Sequence, residues 1–272
     1  LKKLEIEEEK EIERILREFS KRIYEILPQL ITNLSIISSI DFIFARGKLA
    51  YDMEAIKPII NDNGIISLKS AKHPLIDKDK VVPIDISLGN SFNTLVITGP
   101  NTGGKTVTLK TVGILTLMTQ FGLMIPCFDN SEVAIFDEIF ADIGDEQSIE
   151  QSLSTFSSHM KNIIDIINNA KTNSLILFDE LGSGTDPEEG SGLSISILNY
   201  FLEKNIRTIA TTHYSQLKMY AMSTENVQNG AMEFNVEKLE PTYKLIIGIS
   251  GKSNAFEISK KLGLDDSFII NA

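Results

Sequence analysis

The stretch TLVITGPNTGGKT, residues 94–106, decides the reading of this chain. It opens on the apolar run Leu95, Val96 and Ile97. It then turns through Gly99, Pro100, Asn101, Thr102, Gly103, Gly104, Lys105 and Thr106. The turn fits G-x-x-x-x-G-K-[ST], the pattern of a phosphate-binding P-loop, whose context is a strand before it and a helix after it. Both are legible here, because a β-branched run precedes and residues 107–124, from Val107 onward, carry helix-compatible apolar spacing. Glycines let the backbone pass close around phosphates, successive N–H groups point inward, and the helix N-terminus adds favourable partial charge. Lys105 is expected to reach the β- and γ-phosphates, and the Thr106 hydroxyl to ligate Mg²⁺. The competing reading is a Gly-rich turn that only resembles the pattern, and the flanking strand and helix argue against it.

The second strong signal is SLILFDE, residues 174–180. Its four consecutive apolar residues predict a parallel strand buried on both faces. The strand ends in Asp179 and Glu180 at the edge where open α/β sheets build their sites. In P-loop ATPases this is the Walker B element. Asp179 is expected to hold Mg²⁺, directly or through water, and Glu180 to activate the attacking water. A further buried strand, residues 208–212, ends at His213. Alone, His213 reads as a solvent-facing strand-end residue. After the two earlier motifs it reads as a contact to the γ-phosphate.

The remaining segments fall around this frame. Residues 1–27 repeat apolar positions at helical spacing, with Glu13–Arg17 and Glu18–Arg22 as i,i+4 pairs. Pro28 is expected to kink or end that helix, and a second helical pattern runs through Leu49. The turn Asp62-Asn63-Gly64 marks an expected boundary, giving a helical connector over residues 1–61 and an ATPase domain over 62–272. Residues 65–69 and 81–88 read as strands, and His73 as a structural histidine. Residues 133–136 read as a buried strand, followed by an acidic loop with Asp137, Glu138, Asp142, Asp145 and Glu146, solvated rather than metal-binding. A helix over 149–170 is expected, interrupted at 152–157. A helix over 189–202, strands at 230–234 and 242–247, and a closing helix over 253–262 capped by Gly263 complete the chain.

Composition limits the function classes. The chain has 272 residues, 42% hydrophobic and 23% charged, which suits a large α/β domain with an appendage. A single cysteine, Cys127, rules out an intrachain disulfide and a multi-cysteine zinc site. No unbroken run of 18 or more apolar residues occurs, so no membrane segment is expected and the reading is cytoplasmic. A Leu at position 1, within a helical pattern, reads as a fragment of a longer chain. The net charge of −11 opposes a broad backbone grip on DNA or RNA by these residues.

In combination, TGPNTGGKT, QSLSTFSSHM, LILFDELGSGTDPEEG and ATTHYSQLK resemble the ABC-type ATPase of the MutS family. The acidic run before the S-T-F string and the GSGTDP turn resemble its MutS2 branch more than the mismatch-recognising branch. The helices and AKHPLID follow the order of that family, except that Lys72 stands where Arg often precedes the His-Pro pair. The resemblance implies an α/β fold with a mixed, mainly parallel sheet flanked by helices, preceded by a helical lever. It implies a homodimer with two composite sites for ATP and Mg²⁺, in which Ser154 contacts the γ-phosphate in trans and Asn101 binds phosphate. It places adenine between Val82 with Pro83 and Tyr243. It further implies clamping of branched DNA, with suppression of homologous recombination, or recognition of collided ribosomes through rRNA. A nuclease domain of the Smr type would lie elsewhere. The alternative is the ATPase of a mismatch-repair protein that binds mismatched DNA.

Overall fold

The computed structural model describes residues 2–144, 152–235, 237–250, 261 and 263. They divide into two compact units, Leu1–Asp52 and Met53–Ala272. The first unit is one helix, α1 (Lys2–Asp52), of 51 residues and about 75 Å at 1.5 Å per residue. Pro28 lies inside it, so the helix does not end there. Proline removes one N–H and crowds the preceding turn, a local cost of about 3 kcal/mol that long flanking helical stretches absorb. The Thr32 hydroxyl donates to the Pro28 carbonyl at 2.9 Å one turn on. The expected pairs form, Arg17 to Glu13 at 2.7 Å and Arg22 to Glu18 at 2.6 Å. Both are exposed and contribute little. One 18-residue window of α1 is long and apolar enough by composition to cross a membrane. Thr32, Asn33, Ser35, Ser38, Ser39 and Asp41 interrupt the apolar positions of the helix.

The second unit holds two sheets. The larger has six strands in the order β10-β9-β4-β8-β7-β6. These are β4 (Thr94–Thr98), β6 (Glu138–Asp142), β7 (Ser174–Phe178), β8 (Arg207–Thr212), β9 (Val227–Asn235) and β10 (Glu240–Ile247). All neighbours run parallel except β10, which is antiparallel to β9. The smaller sheet has the order β1-β5-β2-β3, from β1 (Ile59–Asn61), β2 (Ile66–Ala71), β3 (Ile84–Leu88) and β5 (Glu132–Ala134). Because β1 pairs with β5, residues before the expected boundary at 62 join the second unit.

Strand periodicity sorts the core into two layers. On β4, Leu95 and Ile97 join β2, β3 and helix α2 (Lys105–Gln120), while Val96 joins the opposite face. On β7, Leu175 and Leu177 face the first layer, and Ile176 and Phe178 the second. Successive side chains of a strand alternate faces, so a continuous apolar run fills both layers. The second layer is closed by α3 (Ser152–Asn169), α4 (Pro187–Glu203) and α5 (Ser215–Ser223), through Ile163, Ile166, Leu198, Phe201 and Leu217.

Several local expectations change. Residues 152–157 are the first turns of α3 rather than an interruption. The strand expected over 81–88 begins only at Ile84, since Pro83 has no N–H for the ladder and the N–H groups of Lys80 and Val81 turn back to Asp77. The stretch expected as a solvated acidic loop contains edge strand β6, and its Asp142 is buried. The mixed sequence EIFAD is half covered at a sheet edge, so it carries no apolar run to read. Asp145, Glu146 and the closing helix over 253–262 lie outside the described residues, apart from Lys261.

Candidate active site

The buried strand β4 delivers the chain to the centre of the C-terminal sheet edge, between β8 and β9. There the backbone leaves through Gly99 and Pro100 and makes a 3-10 turn at Asn101–Gly103, closed by the Gly103 N–H to the Pro100 carbonyl at 3.0 Å. Thr102 lies within this turn, exposed. Gly104 then adopts a left-handed conformation, φ 94° and ψ 17°, before α2 starts at Lys105. A Cβ on Gly104 would lie 3.1 Å from the Tyr243 ring, so both conformation and space call for glycine. The side chain of Asn101 is outside the described residues, as is that of Ser154 on the first turn of α3.

Lys105 is only 2% exposed, and its Nζ donates to the Gly99 carbonyl at 2.8 Å. The same nitrogen lies 3.2 Å from Nδ1 and 3.1 Å from Nε2 of His213. Nearly equal distances to both ring nitrogens put the ammonium over the imidazole face rather than at one lone pair. Burial lowers its pKa to about 8, against the opposing pull of the Glu180 and Asp179 carboxylates. His213 also reaches Glu180, with Nε2 3.1 Å from Oε1. Lys105, His213 and Glu180, which are far apart in sequence, thus meet at the mouth of the P-loop.

A second group sits beside them. The Thr106 hydroxyl donates to Oδ2 of Asp179 at 2.6 Å. Thr211 donates to Oδ1 of Asp179 at 2.5 Å and accepts the Glu180 N–H at 2.8 Å. Glu180 itself has φ 48°, a strained value for a non-glycine residue of the kind that collects at functional sites. Among the described residues no cluster of three or more His, Cys, Asp or Glu side chains forms a metal cage. The donors present are a hydroxyl and a carboxylate, hard oxygens that fit Mg²⁺, which keeps water and phosphate as its other ligands.

Behind the P-loop lies a largely apolar cavity of about 330 Å³, walled by Val82, Ile84, Gly104, Val107, Thr108 and Tyr243. Val82 and Tyr243, remote in sequence, therefore share one chamber with the first turn of α2. Tyr243 is placed by an irregularity in β10 between Pro241 and Leu245 and has φ 60°. His73 and Lys80 also line this cavity. Burial, helped by Lys110, lowers the His73 pKa, and its Nδ1 accepts the Leu75 N–H at 3.2 Å, leaving Nε2 as the N–H donor. His73, read from the sequence as structural, is one wall of this cavity, and Thr211 went unmarked because it reads as one more β-branched strand residue.

Comparison with known proteins agrees with this architecture. The profile of MutS domain V matches residues 95–272. The chain belongs to the MutS family, in its MutS2 branch. It is 63% identical over 272 residues to the "Endonuclease MutS2" of Finegoldia magna, covering 100% of this chain and 35% of that protein. It is 57% identical to the protein of the same name from Caldanaerobacter subterraneus, covering 100% of this chain and 34% of that one. For Alkaliphilus metalliredigens the identity is 56%, with 100% and 34% covered. The chain thus spans about a third of the length of these relatives. It is a MutS-family ATPase domain with the mixed α/β sheet of that family.

Proposed function

We propose that this domain binds MgATP and hydrolyses it to ADP and phosphate, as the motor of a dimeric MutS2-type protein. The observation that carries the reading is the convergence of Lys105, His213 and Glu180 on the P-loop, beside the Thr106–Asp179 pair. Backbone N–H groups of residues 99–107 cradle the phosphates, and Lys105 shifts from His213 and Gly99 to β- and γ-phosphate oxygens. Mg²⁺, when bound, neutralises charge on those oxygens, with Thr106 and Asp179 holding it. Glu180 orients a water for in-line attack and takes its proton. The new P–O bond forms from that water as the bond to the β–γ bridging oxygen breaks. His213 donates to the γ-phosphate. Val82 and Tyr243 hold the base in the apolar chamber.

The site is half of a composite. Ser154 of one subunit reaches the partner's γ-phosphate from the first turn of α3, where helix-terminal N–H groups favour an anion. ATP therefore closes a homodimer, and the segment 1–61 passes that closure to a clamp on nucleic acid, either branched DNA or a ribosome. With a net charge of −11, that contact lies outside these residues. The relatives' name assigns an endonuclease to them, and here such an activity belongs to a separate Smr-type domain. The name also favours the MutS2 reading over mismatch repair. The working compartment is the cytoplasm.

The deciding experiment is Glu180→Gln. Turnover should vanish while ATP binding persists, and ATP should then trap a dimer in sedimentation. Unchanged turnover in this variant would remove Glu180 as the base.

A further inference from the structure

Asp142 ends β6 with 6% exposure, and the phosphate chemistry above makes no use of its carboxylate. Its backbone carbonyl accepts the N–H of Asp179 at 2.8 Å, which ties the end of β6 to the residue proposed to hold Mg²⁺. Its carboxylate faces the other way, to α3. Oδ2 lies 2.9 Å from Nδ1 of His159, and Oδ1 accepts from the Asn162 amide at 2.8 Å. A carboxylate can only accept, so Nδ1 of His159 carries the hydrogen. His159 and Asn162 stand three residues apart and share one face of α3. A buried carboxylate is costly unless its oxygens are satisfied, so these two donors are required where they are.

A second contact ties α3 to the turn after β7. One turn before His159 on α3, Phe156 packs on Gly184, in the turn that follows Glu180. A Cβ on Gly184 would lie 3.4 Å from that of Phe156, and its φ of +85° also favours glycine. Between the two contacts runs a narrow cleft with Met160, Glu180 and Ser183 in its walls. Helix α3 is thus fastened to both sides of the Asp179-Glu180 pair.

We infer that Asp142 is a positioning residue. It makes α3 and the end of β7 move as one piece, so the state of Asp179 and Glu180 in one subunit sets how Ser154 is presented to the partner's nucleotide. This rests on the composite ATP site proposed above. Ser154 precedes His159 by little more than one helical turn, about 7.5 Å along the axis, so a tilt of α3 about the Asp142 anchor displaces it directly. When Asp179 exchanges Thr106 for a cation, any shift of its backbone passes to Asp142 through their hydrogen bond and on to α3. Lys105 and Thr106 bond Gly99, His213 and Asp179, while the Asp142 carboxylate bonds His159 and Asn162, so nucleotide capture uses side chains other than those of this cluster.

The test uses the full-length protein with Asp142→Ala, His159→Ala, the double variant and His159→Asn, whose amide N–H can stand in for Nδ1–H. Fluorescent ATP should bind every variant within about twofold of wild type. In both alanine variants kcat should fall about 10- to 100-fold, as displaced catalytic geometry does, and ATP should no longer trap a dimer. The double variant should be no worse than either single one, and His159→Asn should recover most of kcat. Wild-type kcat in His159→Ala overturns the inference. So does a loss of kcat that His159→Asn fails to rescue, or one matched by an equal loss of binding, which would indicate only a structural role. If Asp142→Ala does not fold in a thermal melt, the two His159 variants carry the test alone. Failure of the ATP-site reading is seen separately, as a wild-type protein without turnover or a Glu180→Gln variant with it.

Discussion

Thr211 bonds Asp179 and, with the same hydroxyl oxygen, holds the backbone of the next residue. It donates to Oδ1 of Asp179 at 2.5 Å and accepts the Glu180 N–H at 2.8 Å. One side chain on β8 thus fixes the carboxylate that faces Thr106 and the strained backbone of Glu180. Thr211→Val keeps the shape and removes both bonds, leaving a buried acceptor and donor unsatisfied. The expected result is a stability loss of about 1–3 kcal/mol in chemical denaturation and a kcat reduced about 10- to 100-fold. ATP affinity should change less than kcat, since the P-loop is untouched.

The pH response follows from Lys105. Its pKa is lowered from 10.5 to about 8 because burial disfavours the ammonium. In this direction the folded protein carries a cost for the charged lysine below about pH 8, and that cost disappears as pH rises toward 10.5. Phosphate has the opposite preference, for the charged form. ATP affinity should therefore weaken as pH rises through about 8, with proton uptake on binding at pH 8.5. Isothermal titration in buffers of different ionisation enthalpy reads that uptake directly, and a pH-independent affinity from 7 to 9 would contradict it.

Gly104→Ala tests the P-loop backbone. A side chain at φ 94° is strained, and its Cβ would press on the Tyr243 ring at 3.1 Å. A loss of about 1–3 kcal/mol in stability is expected, with ATP affinity lowered more than tenfold. A thermal melt and a nucleotide titration measure the two effects.

Tyr243→Ala tests the chamber behind the loop. Removing an aromatic face from a base costs about 1–3 kcal/mol in comparable contacts. KM for ATP should rise about 5- to 100-fold with kcat little changed, and inorganic tripolyphosphate should bind as to wild type. Equal losses for ATP and tripolyphosphate would move the base elsewhere.

The residues that meet at the candidate site were legible where they fall into contiguous strings. A P-loop needs its glycines, lysine and threonine within one turn, and Asp179-Glu180 must end a buried strand. The central parallel strands were legible for the same reason, since Leu95–Ile97 and Leu175–Phe178 must serve two core layers. The Asp142–His159 pair escaped notice because its members lie on an edge strand and a helix, and neither segment looks unusual alone. Val82 and Tyr243 were placed by resemblance, and only the fold brings them into one cavity. At Pro28 the helix runs on rather than ending, because one missing N–H is a small perturbation within 51 helical residues.

The resting position of Lys105 bears on how quickly and tightly a nucleotide can be taken up. A free lysine side chain has about 2 kcal/mol of rotamer freedom to lose when it grips a ligand. Here the Gly99 carbonyl and the His213 ring already hold the ammonium at the end of its stem. Arrival of a phosphate therefore exchanges one set of partners for another and freezes little that was loose. The ordering cost has been moved from the binding step to folding, and the imidazole serves as a placeholder that keeps the cation aimed while the cradle waits.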